Sequence, residues 1–100
     1  MKIKLEMIES DIIRSIKCNK YSPMQLCASR YFKEDPLNID INYDSITIWN
    51  DEINDYHSYK YCMEDIDIVK SFLDEWNDYI DDYTEEFVLE SISFCVEEKN

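Results

Sequence analysis

The clearest periodicity in the chain begins near Glu64. Ile66, Val69, Leu73, Trp76, Ile80 and Tyr83 recur at spacings of three and four, which puts them on one face of an amphipathic helix. The opposite face carries Asp67, Ser71, Asp74, Asp78, Asp81 and Glu85 at the same spacing. Glu64, Asp65 and Asp67 fall in the first turn, where the helix dipole favours negative charge. Thr84 is placed to cap a further helix over Glu85 to Ser91, with Phe87 and Val88 inward. Beyond it Ile92, Phe94 and Val96 alternate, so residues 91–96 read equally well as a last strand.

The first half is patterned differently. Leu5, Ile8, Ile12 and Ile16 fit one face of a helix over residues 5–18, while Ile3, Leu5 and Met7 alternate with Lys4 and Glu6 as a short strand would. Ser22-Pro23-Met24-Gln25 is a helix start: Ser as N-cap, Pro at the first position, Gln three residues after the cap. That helix runs to about Phe32 and is stopped by Asp35-Pro36, because a residue before proline avoids the helical region. Leu37, Ile39, Ile41 and Tyr43 then alternate with polar residues. Ser45 to Trp49 is a second β-rich run after an Asp44-Ser45 turn, and Tyr56 to Met63 is a third after the polar loop Asn50 to Asp55. The expected architecture is α+β in a single domain: an N-terminal helix or helices, a three-stranded antiparallel sheet packed on one face, and acidic C-terminal helices.

Composition narrows the chemistry. The chain has 100 residues, enough for one modest core and too few for a deep enclosed pocket besides. Eight Tyr, four Phe and two Trp within a 45% hydrophobic content argue for a folded protein over a disordered acidic tail. There is no glycine, which excludes a P-loop or a dinucleotide-binding turn and leaves tight turns to Asn and Asp. Cys18, Cys27, Cys62 and Cys95 form no C-x-x-C pair and there is one histidine, so neither zinc nor another metal is expected. No signal peptide or long apolar run is visible, and a cytoplasmic protein with reduced thiols is expected.

Charge is the feature that bears on function. Residues 1–33 hold seven basic residues against three acids, whereas residues 34–100 hold twenty acids against Lys60, Lys70 and Lys99, within a net charge of −13. Like charge at i,i+4 destabilises a helix, and solvated helix faces normally mix Lys with Glu. Here Lys70 is the only base between residues 61 and 98. The stripe Asp67, Asp74, Asp78, Asp81, Asp82 and Glu85 is therefore a candidate partner-binding surface, and Asp51, Glu52 and Asp55 are candidates to extend it. Such a surface repels nucleic acid and attracts proteins that grip nucleic acid. Tyr56, Tyr79 and Tyr83 border it as possible anchors or, read singly, as core edge.

Other chemistry is weakly signalled. Asp40-Ile41-Asn42-Tyr43-Asp44 matches the start of an EF-hand loop, but Ser45 stands where that loop needs glycine and Asp51 where it needs a bidentate Glu. His57 lies in an alternating tyrosine-rich run and reads as a strand-surface residue. A carboxylate pair for glycoside hydrolysis needs a cleft that nothing in the chain predicts. No enzyme activity and no cofactor is expected.

The order of elements in a small, glycine-free acidic chain resembles phage-encoded anti-CRISPR proteins that inhibit Cas9 by mimicking DNA. The likeness is local. Ile68-Val69, Phe72, Trp76-Asn77, the acidic stretch through Asp81-Asp82, and Glu85-Glu86-Phe87 resemble the helical region of such inhibitors. The resemblance implies a mechanism: Cas9 reads its protospacer-adjacent motif with Arg side chains in a basic cleft, and an acidic protein seated there competes with target DNA. It also implies that Asp51, Glu52, Asp55 and the stripe Asp74, Asp78, Asp81, Asp82 and Glu85 pair with Arg and Lys. The expected partner is a basic nucleic-acid-binding protein, a CRISPR effector first and a nuclease toxin second, with no direct nucleic-acid or membrane contact. In the second case the protein is an immunity protein or antitoxin. The basic first third leaves a homodimer open.

Overall fold

The computed structural model describes residues 2–18, 20–82 and 89–98. Strand β1 (Lys2–Glu6) precedes helices α1 (Glu9–Cys18) and α2 (Pro23–Phe32). Strands β2 (Ile39–Ile41), β3 (Ser45–Asn50) and β4 (Asp55–Tyr61) follow as a meander, then helix α3 (Ile66–Asp82) and strand β5 (Ser93–Glu98). The α+β class expected from the sequence is found, but the sheet has five antiparallel strands, not three, in the order β1-β5-β4-β3-β2.

The two additional strands are the stretches whose alternation competed with a helical pattern. β1 pairs with β5 from Lys2↔Glu97 to Glu6↔Ser93, and β5 joins the meander through Tyr61↔Val96. Neither segment is fixed as a strand by its own pattern; Leu5 opposite Phe94 and Ile3 opposite Val96 put matched apolar pairs on one face and hold both. Leu5 thus belongs to a strand and only Ile8 onward leads into α1. The expected acidic C-terminal helices reduce to α3 among the described residues. Leu89, Glu90, Ser91 and Ile92 are not helical. The remainder of the helix expected over Glu85 to Ser91 lies outside the described residues, as do Tyr83 and the side chain of Ile80.

Helix α2 is bounded as its sequence dictates. The Gln25 N–H donates to Ser22 Oγ at 3.2 Å and the Ser22 N–H donates to Gln25 Oε1 at 3.0 Å, a reciprocal capping box. Its far end is less expected. Lys33 takes the left-handed conformation, φ 56 and ψ 43, and its N–H donates to the Ser29 carbonyl. In a chain without glycine a lysine fills the position glycine usually takes. At the β3–β4 hairpin the left-handed residue is Asn54, φ 53, one of the residue types expected to carry tight turns.

All three helices contribute to one core. Leu5, Ile39, Ile46, Ile48, Tyr59, Tyr61, Phe94 and Val96 from the sheet pack with Met24, Cys27 and Ala28 of α2 and with Val69, Phe72, Leu73 and Trp76 of α3. Alternate strand positions, including Lys4, Thr47, Trp49, Tyr56, Ser58 and Lys60, point to the other face. Asp11 is buried at 1% exposure in the first turn of α1. Its Oδ2 accepts from the Ile8 N–H at 3.1 Å and from Arg30 Nη2 at 3.0 Å, and the same Arg30 nitrogen donates to the Glu6 carbonyl at 2.7 Å. One guanidinium therefore joins β1, α1 and α2. No helix among the described residues is long and apolar enough to cross a membrane.

Candidate functional site: the acidic face of α3

Helix α3 is fixed at two places. At its start Asp65 Oδ2 accepts from the Cys95 N–H of β5 at 2.8 Å. Further along, Tyr43 in the β2–β3 turn donates its hydroxyl to Asp74 Oδ1 and accepts from Asn77 Nδ2, both at 2.9 Å. The helix thus crosses the sheet from β5 to the β2–β3 turn. Val69, Phe72, Leu73 and Trp76 face the core, which leaves Asp67, Ser71, Asp74 and Asp78 on the solvent side, all exposed. The stripe expected from spacing is formed over these positions. Asp74 and Asp78 lie about 6 Å apart along the axis, and Asp67 about 16 Å from Asp78. The Asp74–Asp78 separation is similar to that of successive phosphates on one DNA strand, whereas Asp67 stands about 10 Å before Asp74 with Ser71 between them. The side chains of Asp81 and Asp82, and Glu85 as a whole, lie outside the described residues.

These carboxylates form no ion pair among the described residues, although exposed Lys70 stands one turn from both Asp67 and Asp74. The bases that do form ion pairs serve other acids: Lys2 with Glu64 at 3.1 Å, Lys4 with Glu6 at 3.5 Å, Lys60 with Glu97 at 3.8 Å, and Arg30 with Asp11. The Tyr43 phenol, hydrogen-bonded to the Asp74 carboxylate, is held above its ordinary pKa because the phenolate would face a like charge. Asp74 is therefore a carboxylate already oriented by a neighbour, while Asp67 and Asp78 are free of such a clip. Nothing in the local sequence marks Tyr43 as the partner of Asp74; the two meet only through the fold. A cavity of about 300 Å³ lies beside this clip, lined by Gln25, Asp40, Leu73 and Trp76 among others.

The second acidic candidate stands apart. Asp51, Glu52 and Asp55 are exposed at the β3–β4 hairpin. The Trp49 indole donates to Asp51 Oδ1 at 2.6 Å, the Glu52 N–H donates to Asn50 Oδ1 at 2.9 Å, and the Tyr56 N–H donates to Asp55 Oδ1 at 2.7 Å. Trp49 and Tyr56 meet edge to face at 4.8 Å across the strands. Asp74 is anchored at the end of β3 where that strand begins, and Asp51 follows the end where it stops. The strand between them is roughly 20 Å long. The hairpin acids therefore stand a strand length away from the Asp74 clip and do not adjoin it.

The remaining candidates resolve simply. Tyr79 is half-buried and stacks on Trp76 at 5.6 Å, at the core edge, while Tyr56 is 58% exposed. His57 is exposed on β4, stacks on Tyr59 and lies 4.0 Å from Glu98. The calcium-like run is built into β2 and its turn, with Asp40 opposite Thr47 in the ladder. No group of three His, Cys, Asp or Glu side chains suited to a metal occurs among the described residues. Burial pushes the Cys27 thiol up to about 12, whereas backbone N–H groups of Lys20 and Tyr21 lower that of exposed Cys18.

No protein-family model matches the chain, and searches of curated proteins and of solved structures return no match.

Proposed function

We propose that this protein is an acidic inhibitor that mimics DNA and occupies the basic DNA-binding cleft of a CRISPR effector of the Cas9 kind, keeping target DNA out. The observation that carries the reading is the solvent face of α3: exposed Asp67, Asp74 and Asp78, the last two at phosphate-like spacing, on a helix tied to the sheet at both Asp65 and Asp74, and forming no ion pair among the described residues. Asp74, already oriented by Tyr43, loses little side-chain freedom on meeting Arg, and Arg–carboxylate pairs are directional and charge-assisted. The net charge of −13 steers such a protein toward a basic cleft and away from nucleic acid itself. The hairpin acids Asp51, Glu52 and Asp55 then serve as a second contact, roughly a strand length away, and not as part of the same row.

The test is capture followed by competition. The immobilised protein is offered purified CRISPR effectors and basic nuclease toxins at low and high salt, and bound protein is challenged with duplex DNA. A CRISPR effector retained at low salt and displaced by duplex DNA is the expected result. Asp74, Asp78 and Asp81 changed together to Asn should weaken that capture with the circular dichroism spectrum unchanged. Capture of a nuclease toxin alone would replace the reading by an immunity protein. Capture unaffected by salt or by the triple change would refute DNA mimicry.

A further inference from the structure

The flank of α3 next to the acidic face forms one wall of a groove. The other wall is the segment leading into β5. Ile68, 46% exposed, is the accessible apolar side chain of the groove; half-buried Ile92 stands beside it and the edge of core residue Phe72 closes the back, and the volume is about 360 Å³. Asp67, Glu75 and Glu90 stand around this apolar floor, all exposed, and none is in an ion pair among the described residues. Asp67 belongs both to this rim and to the acidic stripe, so the two surfaces are continuous.

An apolar floor inside a ring of unpaired carboxylates selects its occupant. An acidic or uncharged apolar segment would strip water from three carboxylates without replacing it, which is costly. A second copy of this chain would bring another net charge of −13. We propose that the groove receives a cationic amphipathic helix of the partner, its aliphatic or aromatic side chains against Ile68, Phe72 and Ile92 and its Lys and Arg against Asp67, Glu75 and Glu90. This rests on the reading above that the partner is basic. It adds that the contact has an apolar anchor beside the DNA-like row, which phosphate-like charge alone would not supply.

The probe is a short synthetic peptide with Leu and Lys at helical spacing, compared with a control in which each Leu is Ser. Both are titrated into the full-length, methyl-labelled protein and followed by NMR. The Leu/Lys peptide is expected to shift the Ile68 and Ile92 methyls and to bind at least ten-fold more tightly than the control. Ile68→Asp, at a position already half exposed, should abolish that ten-fold difference with the remaining methyl spectrum native. Glu75→Lys should weaken both peptides and serves as a second variant should Ile68→Asp perturb the fold. Equal affinity for the two peptides, or a difference that survives Ile68→Asp, overturns the proposal. The captured effector separates the two readings: if it still binds the Ile68→Asp protein as tightly and loses the Asp74, Asp78, Asp81 variant, the groove is not used and DNA mimicry stands. If the peptide docks in the groove but no effector is captured, mimicry fails and the groove remains a docking site.

Discussion

Arg30→Met is the sharpest test of the packing. It keeps most of the aliphatic stem and removes the guanidinium that joins Asp11 to Glu6. The Glu6 carbonyl contact is exposed, so water replaces it at little cost. Asp11 is different: its side chain is 2% exposed, and it would keep only the Ile8 N–H as a partner. Breaking a buried pair costs about 3–5 kcal/mol, but the Arg30 side chain is 39% exposed and water can enter where it lay, so about 2–3 kcal/mol is expected. For a domain of this size that is roughly 10–15 °C in Tm. The assay is urea unfolding with m held as a fitted parameter, repeated on Arg30→Met combined with Asp11→Asn. Because the penalty is an unpaired buried charge, the double variant should be more stable than Arg30→Met alone. An Arg30→Met protein within about 0.5 kcal/mol of the parent, or a double variant less stable than the single one, would show that the pair does not hold α1 to α2.

Three further outcomes are expected. Lys33→Gly should raise stability by about 0.5–1 kcal/mol, seen as a higher urea midpoint at constant m, because it relieves a side chain in the left-handed region. Under mild alkylation near pH 8, mass spectrometry should find Cys18 modified first and Cys27 only on unfolding, since the thiolate is the reactive form and Cys27, at about 12, remains a thiol far above that pH. In an ultraviolet phenolate titration Asp74→Asn should bring the Tyr43 hydroxyl down toward its ordinary value, and a tyrosine profile unchanged by that substitution would mean the two side chains do not meet.

What was legible in the sequence was what depends on near neighbours. The Ser22–Gln25 cap, the three-strand meander and the buried face of α3 each follow from residues a few positions apart. β1 and β5 were ambiguous because each is a short alternating run whose conformation is decided by the other, at the far end of the chain. Nothing in the local sequence marks Asp11 as buried; its partner Arg30 lies nineteen residues away. The left-handed turn at Lys33 carries no signal because glycine, the usual marker, is absent. The acidic stripe was readable from spacing alone, but its clip to Tyr43 and its separation from the hairpin acids were not, since both depend on how α3 crosses the sheet. The groove needed Glu90 and Ile92 to land beside α3, which no local pattern announces.

The sheet order has a consequence for how the protein is made. Among the described residues β1 has one neighbour, β5, which is the strand farthest from it along the chain. At translation rates of about 5–20 residues per second, the chain between them delays that pairing by at least roughly 5–20 s. During that time Ile3 and Leu5 are uncovered and the edge of β4 is unpaired. β1 and β5 therefore join the sheet together, as its final step, each closing the edge that the other leaves open.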